Sequence, residues 1–72
     1  MSNEKVFVDS STVRAIKYDD KTKVLTITYI TGKVYDYANV PRHVFDMALE
    51  VKSIGKFVNE HIKLQYPYKK VS

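Results

Sequence analysis

Seventy-two residues with a formal net charge of +4 make one domain and leave no room for a second. Hydrophobic residues form 44% of the chain and charged residues 28%, the balance of a folded domain and not of a disordered tail. There is no cysteine, which excludes a disulfide framework, a thiolate metal site and thiol nucleophilic chemistry.

The first half has the character of strands. Lys5–Val8 is a short candidate, followed by Val13–Tyr18 and Val24–Ile30. In the last of these Leu25, Ile27 and Tyr29 alternate with Thr26 and Thr28, the period of two expected of a half-buried strand. Asp19-Asp20-Lys21-Thr22 is a polar turn between the second and third strands. Thr31-Gly32-Lys33 closes the next hairpin, with Gly32 free to take the left-handed conformation. Val34–Ala38 returns as a fourth strand. One face of this meander collects Ile16, Tyr18, Leu25, Ile27, Tyr29, Tyr35 and Tyr37; the other is mixed, with Lys17, Thr26, Thr28 and Asp36 beside Val24, Ile30 and Val34.

The second half has the spacing of two helices. Pro41 suits a helix start, and Val44, Phe45, Ala48 and Leu49 form an apolar stripe behind it. Ser53 is the expected N-cap of the next helix. Its apolar stripe is Ile54, Phe57, Val58, His61, Ile62 and Leu64, with Lys56, Asn59, Glu60 and Lys63 on the opposite face. Pro67 stops this helix near Tyr66, and residues 69–72 form a short basic, frayed tail. Strands followed by helices predict an α+β fold: an antiparallel meander of three to four strands with two helices packed on one face, the core running from about residue 5 to 68.

These residues, in order, resemble the KTSC domain family. The resemblance rests on Ser10-Ser11, Ile16-x-Tyr18-Asp19, Leu25-x-Ile27-x-Tyr29, Gly32, Tyr35-x-Tyr37, Val40-Pro41, Ser53-x-Gly55, Phe57-x-Asn59, Ile62 and Tyr66, and covers residues 8–68. The family takes its name from the C-terminus of some lysyl-tRNA synthetases and also occurs as short stand-alone bacterial and phage proteins. The resemblance implies a small RNA-binding module and no enzymatic activity. Relatives often carry Arg where this chain has Lys63, Lys69 and Lys70, and Lys keeps the charge there without the bidentate geometry.

The charge is uneven. The first forty residues carry six basic and five acidic groups, the remaining thirty-two six and three. A basic half raises the prior for an anionic partner. Ser53, Gly55 and Lys56 at a helix start are the candidate phosphate contact, since free N–H groups and the helix dipole favour an anion there. The plainer reading is a cap with Gly55 making room for packing. Lys56, Asn59 and Lys63 form a candidate stripe along a phosphate backbone, extended by Lys69 and Lys70 in the tail; an ordinary solvated helix face is the commoner explanation. Tyr35 and Tyr37 share one strand face and are candidates for stacking on unpaired bases. Their phase matches Leu25 and Ile27, which favours core packing with hydroxyls at the rim.

His61 is expected to be buried or half-buried in its stripe. His43 and His61 have no ligand spacing, so neither a metal nor another cofactor is expected. Ser10-Ser11 has no nucleophile motif around it. No apolar run approaches the ~20 residues of a membrane helix. The first residues resemble neither a signal nor a transit peptide, so the expected location is the cytoplasm. Three functions are expected in descending order: a nucleic-acid-binding module with RNA favoured, a protein-interaction module that docks on a partner or on itself, and a small-nucleotide binder or enzyme using the Ser53–Lys56 segment.

Overall fold

Alternating apolar and polar side chains, broken by polar turns, build an antiparallel sheet in chain order. The structure, a computed structural model, describes residues 3–8 and 11–71. Ser10 lies outside the described residues. The strands are β1 (Asn3–Phe7), β2 (Val13–Asp19), β3 (Val24–Tyr29), β4 (Val34–Tyr37) and β5 (Tyr68–Lys70), and their spatial order is the same as their sequence order. Between β4 and β5 come α1 (Arg42–Glu50) and α2 (Ile54–Phe57), which runs directly into a π-helical turn, Val58–Ile62. The α+β class and the meander followed by helices are as the sequence predicts.

The turns follow their chemistry. Asp19 Oδ1 accepts from the Lys21 N–H at 2.9 Å, and Lys23 takes a left-handed φ of 60° before β3 begins. Gly32, at φ 96°, occupies the position where the β3–β4 hairpin needs a left-handed residue. In β2 the pairing with β3 slips between Val13 and Ala15, which makes Arg14 the extra residue of a β-bulge. The bulge lets Val13 and Ile16 both face the helices, three residues apart.

The core lies between the sheet and the helices. Ile16, Tyr18, Leu25, Ile27 and Tyr37 meet Val44, Phe45, Ala48, Ile54, Phe57, Val58 and Ile62. Tyr18 and Phe45 stack with ring centroids 5.4 Å apart. The Tyr18 hydroxyl donates to the Val40 carbonyl at 2.5 Å, tying the sheet to the segment that enters α1. Arg42 brackets that entrance, donating to Asp20 at 3.0 Å and to Asp46 at 3.2 Å. On the outer face Thr26 Oγ1 donates to Asp36 Oδ1 at 2.6 Å, a cross-strand pair.

Three expectations need correction. The C-terminal segment is not frayed: Tyr35 pairs with Lys70, Asp36 with Lys69 and Tyr37 with Tyr68, giving a fifth strand. His61 is exposed, not buried in the stripe, and its ring lies tilted against that of Phe57 with centroids 5.0 Å apart. Leu64, expected in the same stripe, is 84% exposed. One cause accounts for both of these. Residues of a π turn bond five apart, so each advances less around the axis than the ~100° of an α-helix. The Lys63 N–H donates to the Val58 carbonyl, five residues back, at 2.8 Å. The slower rotation brings Ile62 fully inward and carries His61 to the flank. Helical structure ends at Ile62, four residues short of the expected stop, so Leu64 lies beyond the stripe.

Candidate functional site

β3, β4 and β5 each place aromatic residues on the core face, and the helices do not cover all of them. Register puts Tyr37 opposite Leu25 and Tyr68, and Tyr35 opposite Ile27 and Lys70. Beyond the end of the π turn, Tyr29, Tyr35, Tyr37 and Tyr68 line an open cleft of about 250 Å³, with Thr31, Lys33 and Lys63 completing its wall. Tyr29 meets Tyr35 edge-to-face at 5.7 Å, and Tyr35 meets Tyr68 in the same way at 5.6 Å. Tyr68 also lies 5.8 Å from Tyr37. The rings therefore pack against one another in the edge-to-face and tilted arrangements that aromatic pairs favour.

Depth differs among them. Tyr37 is 1% exposed and forms the floor, its hydroxyl 3.5 Å from that of Tyr29. Burial, and then the Tyr29 hydroxyl, push the Tyr37 phenol well above its ordinary pKa, so the floor is neutral. Tyr35 is half-buried, and Tyr68 is 61% exposed at the sheet edge. Lys33 and Lys63 are exposed, and no acidic side chain lines the cleft among the described residues.

The residues singled out from sequence divide among several places. Tyr35, Tyr37 and Lys63 come together in the cleft. Tyr37 is a core residue, as its phase predicts, while Tyr35 is only partly covered. Lys70 pairs with Tyr35 and shares its side of the sheet, whereas Lys69 pairs with Asp36 on the other side. Ser53, Lys56 and Glu60 border a separate shallow groove with Phe57 and His61, so a carboxylate accompanies Lys56. Ser53 is at the N-cap position with extended backbone, but its hydroxyl makes no capping hydrogen bond. The space beside Gly55 belongs to the fold: a Cβ there would lie 3.0 Å from Thr12 Cβ. Asn59 is exposed on the π-helical turn and lines neither region. The π turn explains the separation of Lys63 from Lys56 and Asn59, because it rotates Lys63 from the outer face towards the tyrosines.

Sequence reasoning missed Tyr29, Thr31, Lys33 and Tyr68 as members of one site. Tyr29 has the same phase as Tyr35 and Tyr37 across a two-residue-period hairpin, which was a usable signal. Lys33 follows from the same hairpin. Tyr68 carried no signal, since its place depends on β5.

The chain matches the family model of the KTSC domain over residues 9–66. It is 37% identical over 59 residues to a protein of Tsukamurella paurometabola, spanning 82% of this chain and 88% of that one. A lysine–tRNA ligase of Nostoc sp. is 30% identical over 64 residues, which are 89% of this chain but only 11% of the ligase. The crystal structure of a KTSC domain protein from Yersinia pestis superposes with a TM-score of 0.89 at 26% identity, covering 99% of this chain and all of the other.

Proposed function

From the premise that the chain belongs to the KTSC domain family, we propose that it is a non-enzymatic module that binds nucleic acid, RNA in preference, through the tyrosine cleft. The observation that carries this reading is the cleft itself: four tyrosines beside Lys33 and Lys63, with no carboxylate among the described residues of its wall. Aromatic rings accept unpaired bases by stacking, and lysines at a rim neutralise the adjacent phosphates. The preference for RNA draws on the lysine–tRNA ligases that carry a similar segment, enzymes named for an RNA substrate. This reading moves the centre of binding from the start of α2 to the far end of the same helical segment.

Titration of a labelled eight-nucleotide single-stranded RNA at 50 and 200 mM salt tests it. Two phosphate contacts give a log–log salt slope of about −1.4, hence roughly sevenfold weaker binding at the higher salt. Lys33→Gln and Lys63→Gln should each weaken binding and flatten that slope. No binding at low salt overturns the proposal.

A second reading, a self-associating interaction module, draws on a groove between β1 and the end of α1. Val6, Val8, Leu49 and Val51 line it, and Leu49 and Val51 are exposed. Light scattering at rising concentration tests this, and a strict monomer removes it.

A further inference from the structure

We infer that the cleft takes one unpaired base at a time, so that its ligand is single-stranded at the point of contact and a continuous duplex is excluded; this rests on the nucleic-acid reading above. The size of the cleft is the first reason. At about 250 Å³ it lies below the ~300–1,000 Å³ of sites that enclose drug-sized ligands, and has room for one ring system with its sugar outside. The second reason is the arrangement of the walls. The edge-to-face contacts of Tyr29 with Tyr35 and of Tyr35 with Tyr68 set the rings steeply to one another, at 78° and 88°, so they do not form one flat platform for successive stacked bases. Tyr68, the most exposed of the four, is left to offer its ring to the incoming base.

The third reason is the placement of charge. Lys33 comes from the β3–β4 hairpin and Lys63 from the residue after the π turn, so two different elements supply the cations of the wall. Phosphates on either side of a captured nucleotide can each meet a lysine. The floor, formed by Tyr37, puts no carboxylate beneath them. In the interior of a duplex both faces of a base are covered by neighbours, so an interior paired base enters only if it is first flipped out.

The test compares three polyanions at 50 mM salt: an eight-nucleotide single-stranded RNA, the same sequence in a blunt duplex, and inorganic polyphosphate of similar charge. The single strand should bind about tenfold more tightly than either of the others, the scale of one base–aromatic stack. Tyr68→Leu should remove that advantage and leave polyphosphate binding unchanged. Lys63→Gln should weaken the single strand and polyphosphate alike, and serves as the second variant should the sheet edge not tolerate Tyr68→Leu. Equal binding of duplex and single strand, or a single-strand advantage that survives in folded Tyr68→Leu, overturns the inference while leaving the module a nucleic-acid binder. Failure of all three polyanions to bind overturns both readings.

Discussion

The hydroxyl of Tyr18 is carried into the core by β2, and its partner is the carbonyl of Val40. Tyr18 and Val40 are both fully buried, so neither group has water as an alternative. Tyr18→Phe keeps the ring and its stacking on Phe45 but strands the carbonyl. An unsatisfied buried acceptor costs about 1–3 kcal/mol. Urea denaturation of the variant should therefore show a lower midpoint with an unchanged slope, since the surface exposed on unfolding stays the same. A midpoint equal to that of the unaltered chain would show that the Val40 carbonyl finds another donor. The same tyrosine was readable from sequence as a core residue, because Ile16 and Tyr18 share the phase of Leu25 and Ile27. Its hydrogen bond was not readable, because Val40 lies twenty-two residues away and is brought there only by the turn into α1.

β5 is the element on which the site depends most directly. Its three residues are all exposed and gain little from burial, yet they pair with β4 and place Tyr68 against Tyr35 and Tyr37. The Val71 N–H donates to the Val34 carbonyl at 2.7 Å, and the Ala38 N–H to the Pro67 carbonyl at 2.9 Å, so both ends of the pairing are fastened. Ending the chain after Pro67 removes the strand and uncovers the edge of β4. Loss of about 2 kcal/mol is expected, which for a domain of this size lowers the melting temperature by roughly 8–16 °C. A melting curve unmoved by the truncation would mean that β4 is stable as an edge. β3 was legible from its alternating pattern, and β2 and β4 from apolar and aromatic runs bounded by turn residues, whereas the Lys5–Val8 candidate overlaps β1 only in part. Three residues after a proline carry too short a pattern to separate a strand from a tail. The π turn was hidden for a related reason: at this length the apolar stripe fits an α-helix ending in His61 and Leu64 as well as it fits a turn that buries Ile62.

At the scale of the molecule the cleft exists because β3, the hairpin after it, β4, the residue after the π turn and β5 converge. Tyr35, Tyr37 and Lys63 were visible singly from residue type and phase, but their meeting with Lys33 and Tyr68 is a product of topology. The same convergence sets how the domain meets alkali. Burial raises the pKa of Tyr18, with the nearby Asp20 carboxylate adding to it, and burial with the Tyr29 hydroxyl raises that of Tyr37. In the unfolded chain both phenols ionise near pH 10. A group whose folded pKa is the higher one contributes its full stabilisation below the unfolded value, and that contribution is lost as pH climbs through the folded value. Above pH 10 the native state holds protons that the unfolded state has released, so unfolding becomes more favourable with pH. Stability should be level from pH 7 to 9 and then fall, with a slope approaching about 1.4 kcal/mol per pH unit for each phenol that remains protonated. In Tyr37→Phe the fall should be shallower, since one of the two buried phenols is gone. Urea unfolding repeated from pH 7 to 11.5 measures it, and a level profile across that range would show that both phenols ionise inside the intact fold.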